Sequence, residues 1–343
     1  MPPRRRSEQS DWTRRFRQGD FDADDAKSRQ VFSKRSKFAQ ENKTRRTADL
    51  RADNKQLTDG LDALPQGEVI QVFSVYAEVL CEGVTYLCTV RKTLQRVSRT
   101  AVIVGDMVRI LKANVTNDAG VLEAVIEQVL PRQTQLLRQD SFRKDLQDPI
   151  VANAQQMLIV ASLLRPRVKW GLVDRMIIAS QSGGLLPIIC LNKVDLAGED
   201  EEASAEAQEV LAHYRTLGVG CLCCSIITLD GLDELRALLA GKRTVLAGHS
   251  GVGKSSLIRS IAPELDIRIG VISTFNEKGM HTTTSARRYV LPFDGFVIDT
   301  PGVKQFGLVG VTRERLAEFF PDMEADTAPK WRRQSYQKIL ESL

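Results

Sequence analysis

The sequence predicts an α/β protein in which a small OB-type β-barrel precedes a larger domain built on a parallel sheet with helices on both faces, followed by a short helical C-terminal segment. Three observations predict it. Five short runs of strand type lie between Gly67 and Leu130, with turn signals between them. Beyond Pro131 the pattern changes, and apolar strand-like runs alternate with helical stretches. A glycine-rich loop, Gly248-His249-Ser250-Gly251-Val252-Gly253-Lys254-Ser255, joins an apolar run to a helical one, the context in which such loops hold phosphate.

The chain has 343 residues, 43% hydrophobic and 27% charged, which is ordinary for a globular protein of two or three domains. No run approaches the roughly 18 apolar residues of a membrane span, and the start, Met1-Pro2-Pro3-Arg4-Arg5-Arg6, lacks the apolar core of a signal peptide. A cytoplasmic, monomeric protein with no membrane partner is expected. The six cysteines show no paired Cys-x-x-Cys spacing, so reduced thiols are expected. Cys221, Cys223 and Cys224 do not make a metal cluster, because adjacent strand residues face opposite ways and no nearby His completes a set.

Residues 1–65 form a basic arm. The first sixty residues hold 16 Lys/Arg against 10 Asp/Glu, whereas the whole chain carries +5, so the remainder is close to neutral. The arm has too few large apolar residues for a core, and disorder is expected of it. Basic arms commonly run along nucleic-acid phosphates; a solvated linker is the plainer reading.

Residues 66–131 supply the barrel, with runs at Glu68–Phe73, Val75–Leu80, Val84–Val90, Met107–Leu111 and Gly120–Ile126. Such barrels often bind RNA across one face. Tyr76 and Tyr86 are candidates for stacking, and Arg91, Lys92, Arg96 and Arg99 for phosphate contacts.

Residues 132–308 read as the α/β domain: strand Met157–Ala161, helix near Leu172–Ala179, strand Leu185–Leu191, then Asn192-Lys193-Val194-Asp195. That tetrapeptide suits guanine. The Asp195 carboxylate accepts from the ring N–H and the exocyclic amine, Asn192 buttresses the loop, and the Lys193 stem covers the ring. A helix over Glu201–Leu217 and a strand at Val219–Cys224 lead to Ser225-Ile226, where a second base-contacting loop is expected. Ile226 replaces the usual Ala, but the contact there comes from a backbone N–H.

In the glycine loop, backbone N–H groups and a helix N-terminus face phosphate, Lys254 reaches the β- and γ-phosphates, and Ser255, followed by Ser256, is placed to ligate Mg²⁺. Asp299, ending the apolar run Phe296–Ile298, is the acid that holds Mg²⁺, and the Gly302 N–H meets the γ-phosphate. One hydroxyl among Thr282, Thr283 and Thr284, taken as Thr283, completes the metal shell. Val303 stands where many GTPases place a water-orienting Gln. His281 is the nearest candidate to position water; the plain alternative is a switch-loop histidine facing solvent or phosphate.

The order of these motifs, base recognition at 192 and 225, then phosphate loop at 248, then threonines at 282 and Asp299-Thr300-Pro301-Gly302, is a circular permutation of the ordinary one. It places the second switch directly before the C-terminal segment. With a barrel in front, this arrangement over Gly67–Leu308 resembles the ribosome small-subunit-dependent GTPases. The resemblance implies an OB barrel, a permuted GTPase domain and Mg²⁺-dependent conversion of GTP to GDP, stimulated by the 30S subunit during its late maturation, with contact to 16S rRNA. It also implies a Cys/Cys/His/Cys zinc module after the GTPase domain. Here the sequence departs: residues 309–343 run from Phe319-Phe320-Pro321 to Trp331–Leu340, and no Cys or His follows His281. No zinc is expected. The alternatives are a permuted GTPase of large-subunit assembly, or a nucleotide-gated RNA-binding module with negligible turnover. A small-molecule kinase using ATP is disfavoured by Asn192–Asp195.

Overall fold

A computed structural model describes residues 60–73, 76–91, 94, 102–116, 121–139, 147–265, 286–300, 308 and 310–343. The basic arm up to residue 59, Lys92, Arg96, Arg99, His281, Thr282–Thr284, Gly302 and Val303 lie outside the described residues.

The barrel is built from β1 (Gln66–Val72), β2 (Tyr76–Cys81), β3 (Val84–Val90), β4 (Met107–Thr116) and β5 (Leu122–Val129). Its order β1-β2-β3-β5-β4 closes through an antiparallel β4–β1 pairing. The β2–β3 hairpin turns on Glu82 and Gly83, both left-handed at φ 52° and 78°, the two-residue geometry that matches strand twist. Alternate residues fill the interior, Val79 and Cys81, Tyr86 and Cys88, Val108 and Ile110, Ala124 and Ile126, as a two-residue period requires. Tyr86 is therefore a core residue, 7% exposed, with Lys112 over its ring. This corrects the expectation that it stacks on a base: its ring already serves the barrel interior. Tyr76, on β2, is exposed.

Next comes an antiparallel ribbon, β6 (Gln135–Gln139) with β7 (Gln147–Ala152), which the sequence pattern does not announce. Its polar residues hide the strand period. The α/β part then runs β8 (Gln156–Ser162), α1 (Trp170–Ser182), β9 (Leu186–Asn192), a 3-10 turn (Val194–Glu199), α2 (Glu201–Thr216), β10 (Gly220–Cys224), α3 (Leu232–Leu239), β11 (Arg243–Ala247), α4 (Lys254–Ile261), β12 (Arg287–Val290) and β13 (Phe296–Asp299). Strand order is β10-β9-β8-β11-β13-β12, parallel except for β12. All seven residues of β8 are buried, as a central parallel strand covered on both faces demands. Val173, Met176, Val210 and Tyr214 of α1 and α2 pack on one face, and Leu235, Leu239, Leu257 and Ile258 of α3 and α4 on the other. Asp200 caps α2, accepting from the Ala203 N–H at 2.9 Å.

The C-terminal residues add a 3-10 turn (Leu316–Phe319), the short α5 (Pro321–Glu324) and α6 (Lys330–Ser342). Leu308, Val311, Leu316, Phe320 and Ile339 cluster on Ile178 of α1. Beneath them Arg332, 2% exposed, lies between Asp174 of α1 and Asp322 of α5 and over the Phe320 ring at 4.0 Å. The barrel is tied to the ribbon through fully buried Asp106, which accepts from Arg132 Nε at 2.7 Å and Nη2 at 3.0 Å, while Asn153 donates to the Gly105 carbonyl at 2.9 Å. No helix among the described residues is long and apolar enough to cross a membrane.

Candidate functional site: a guanine and phosphate pocket at the strand ends

Strands β8, β9, β10, β11 and β13 all end at one edge of the sheet, where open α/β sheets bind ligands. Asn192 ends β9, Cys224 ends β10 just before Ser225, Ala247 ends β11 before the glycine loop, and Asp299 ends β13. In register, Leu246 lies beside Asp299, and Cys224 beside Asn192. The fold thus brings together four segments far apart in sequence.

The end of β9 and the glycine loop form one hydrogen-bonded unit. Asn192 is 1% exposed and donates from Nδ2 to the Val252 carbonyl at 2.8 Å. Lys193, left-handed at φ 61°, sends Nζ to the Gly251 carbonyl at 2.9 Å and also to that of Arg165. Burial, with Arg165 nearby, lowers the Lys193 pKa, while Asp195 opposes the shift. Gly253 has φ 95°, and a Cβ there would sit 2.4 Å from Asn192 Nδ2, so only glycine lets the loop approach this strand end. Gly248 is similarly fixed: its Cβ would lie 2.2 Å from the Val160 carbonyl oxygen.

Asp195 is exposed and oriented by Ser225, whose hydroxyl donates to Oδ1 at 2.6 Å. The same hydroxyl accepts from the Ile227 and Thr228 N–H groups at 3.1 and 3.2 Å. One side chain therefore fixes the loop and aims the carboxylate. The sequence assigned Ser225 a place by its backbone; its side-chain role is additional.

Lys254 opens α4, with Nζ 2.8 Å from the Gly248 carbonyl and 3.1 Å from that of His249. Burial lowers its pKa, opposed by Asp299; burial raises the Asp299 pKa, opposed by Lys254. Each therefore feels the other's charge, while the Lys254 ammonium itself is hydrogen-bonded to loop carbonyls. Ser255 and Ser256 follow on the first turn of α4, partly accessible. A hydroxyl at this helix start and a half-buried carboxylate on the neighbouring strand are hard oxygen donors that suit Mg²⁺. His249 is exposed, its Nδ1 2.8 Å from the Ser250 carbonyl, and lines an apolar hollow with Val252, Val168, Leu172 and Met176.

Two further contacts hold the site together, of which the first has no sequence signal and the second falls within the Asp299-Thr300-Pro301-Gly302 motif. Arg165, left-handed at φ 55°, supplies the carbonyl that receives Lys193. Thr300 donates to the Leu246 carbonyl at 3.4 Å, joining β13 to the strand that feeds the loop.

A phosphate loop after β11, hydrogen-bonded to the Asn192–Asp195 strand end that precedes it in the chain, defines a circularly permuted GTPase domain behind an OB-type barrel. The RsgA GTPase family profile matches residues 129–309, and the chain belongs to that family. The small ribosomal subunit biogenesis GTPase RsgA of Photorhabdus laumondii is 37% identical over 274 residues, 78% of this chain and 75% of that protein. Its counterpart in Pseudomonas fluorescens is 38% identical over 275 residues, 78% and 76% of the two chains. Among solved structures, YjeQ from Thermotoga maritima matches with a TM-score of 0.63 and 26% identity, covering 81% of this chain and 98% of that one. YloQ, described as a circularly permuted GTPase, matches with a TM-score of 0.60 over 81% and 94%. At 22% identity it speaks for the fold alone.

Proposed function

We propose that the protein binds GTP with Mg²⁺ and hydrolyses it to GDP and phosphate as a cytoplasmic, monomeric factor in maturation of the small ribosomal subunit, contacting 16S rRNA and stimulated by the 30S subunit. The observation that carries this reading is the Asp195 carboxylate, aimed by Ser225 and tied through Asn192 and Lys193 to the phosphate loop. An adenine ring offers no paired donors to that carboxylate, which favours guanine. The names of the relatives supply the ribosomal context.

The residues divide the work. Asn192, Lys193, Val194, Asp195 and Ser225 hold the base. Residues Gly248 to Ser256 and the Gly302 N–H hold the phosphates. Ser255, Asp299 and Thr283 would hold Mg²⁺, which would neutralise negative charge on the phosphates. Lys254 stabilises charge developing on the phosphates. With Val303 unable to orient water, intrinsic turnover is slow and His281 positions the nucleophile. The barrel (66–131) and the basic arm (1–65) face rRNA, the permuted domain (132–308) turns over GTP, and residues 309–343 bind no zinc.

Phosphate release titrated with purified 30S or 50S subunits, for wild type and His281→Ala, tests this reading. Expected is slow basal hydrolysis of GTP and none of ATP, stimulation by 30S alone, and loss of that stimulation in His281→Ala. Stimulation by 50S alone would instead indicate large-subunit assembly, and none by either a nucleotide-gated RNA-binding module. Equal rates for His281→Ala and wild type on 30S would remove the histidine from the mechanism.

A further inference from the structure

The barrel touches the nucleotide domain at a second place that the mechanism leaves unused. Strand β12 pairs antiparallel with β13 on one side, Arg287 opposite Asp299. On its other side it pairs with barrel strand β1, Arg287 opposite Gln71. The backbone of Arg287 thus stands between the barrel and the carboxylate assigned to Mg²⁺. In sequence β12 begins three residues after Thr284.

Side chains reinforce the seam. Glu68 of β1 has its side chain 11% exposed and meets Arg288 of β12, 9% exposed, at 3.2 Å. It also meets Arg243 at 3.6 Å, the first residue of β11, the strand that delivers the phosphate loop. Both guanidiniums lie over Phe296 of β13, Arg288 at 3.9 Å and Arg243 at 5.6 Å from the ring centre. One barrel carboxylate therefore meets cations on β11 and β12 and, through them, the Phe296 ring of β13, at the starts of β11 and β13 rather than at the ends that carry the phosphate loop and Asp299. Burial lowers the Arg288 pKa, with Glu68 opposing. Without Arg288, Glu68 keeps Arg243 as its cationic partner at 3.6 Å.

We propose that Glu68 and Arg288 are positioning residues that couple the barrel to the nucleotide site, so that a partner seated on the barrel acts on hydrolysis through β12 and β13. The proposal rests on the reading of the protein as a subunit-stimulated GTPase. If β12 and β13 carry the partner's effect to the nucleotide site, a change of nucleotide is felt along the same paired strands in β1.

Two measurements test it. In wild-type protein, hydrogen exchange is compared with GDP and with a non-hydrolysable GTP analogue. Amides of β1 and β12 are expected to change together; a β1 unaffected by nucleotide, while amides of the phosphate loop respond, overturns the proposal. In Glu68→Gln and Arg288→Gln, basal hydrolysis and nucleotide affinity should match wild type. The maximal 30S-stimulated rate should fall roughly fivefold or more, with the half-saturating 30S concentration unchanged. A merely structural seam would instead lower basal binding and hydrolysis, and an unchanged maximal rate overturns the coupling. If wild type itself shows no stimulation, the ribosomal reading fails, and hydrogen exchange still decides the coupling. The same measurement decides it if a variant fails to fold.

Discussion

The Ser225 hydroxyl at once holds its own loop and orients the Asp195 carboxylate. It donates to Asp195 at 2.6 Å and accepts from two backbone N–H groups, so Ser225→Ala removes an aimed, charge-assisted bond and leaves two donors short of a partner. Bonds to charged groups contribute about 1.5–3 kcal/mol, so GTP affinity should fall by roughly tenfold or more in a fluorescent-nucleotide titration, with the fold unchanged by circular dichroism. An affinity equal to wild type would mean that the carboxylate is aimed by something else. Asn192, Asp195, Lys254 and Asp299 stood out in the sequence because nucleotide chemistry asks for fixed residue types at fixed spacings, and the fold gathers them at one edge of the sheet. The support of the loop by Arg165 could not: its contribution is a carbonyl, and any residue brings one. Tyr86 shows the opposite error, since an aromatic on a strand carries no mark of which face it occupies.

At the scale of elements, the five barrel strands and the alternation beyond Pro131 were legible because period and turn residues announce them. The β6–β7 ribbon and the β12–β1 pairing were not, since neither follows from local pattern. The C-terminal helices were legible as helices, but what binds them to α1 was hidden. Arg332 sits between Asp174 and Asp322, with burial pushing its pKa down to about 10; Asp322 also pairs with His213 at 2.9 Å, and Asp174 accepts from the Tyr214 hydroxyl at 2.7 Å. Removing one member of a buried ionic cluster is far worse than removing all of it. Arg332→Met should lower unfolding stability by about 3–5 kcal/mol in denaturant titrations and raise hydrogen exchange along α6. Adding Asp174→Asn and Asp322→Asn should recover part of that loss. If Arg332→Met is as stable as wild type, the apolar cluster of Leu316, Phe320 and Ile339 holds the segment without help from the ions.

The whole molecule is electrically divided. Net charge is +5, while residues 1–60 hold 16 Lys/Arg and 10 Asp/Glu, so the barrel, nucleotide domain and C-terminal helices together are slightly acidic. Association with a polyanion then depends on where the cations lie more than on their total. Each phosphate neutralised by a Lys or Arg releases counterions and steepens the fall of affinity with salt, by about 0.9 in the log–log slope per phosphate for duplex DNA and about 0.7 for single strands. If the arm supplies these cations, deleting residues 1–59 should weaken 30S binding at low salt and flatten the salt dependence by roughly one unit for every one to two phosphates that the shortened protein leaves un-neutralised. Intrinsic GTP hydrolysis should stay at the wild-type rate, because the site is assembled from residues beyond 160. Sedimentation binding at a series of salt concentrations, with phosphate release measured alongside, checks both expectations. An unchanged slope would place the phosphate-binding cations on the barrel and leave the arm as a solvated linker, whatever its charge.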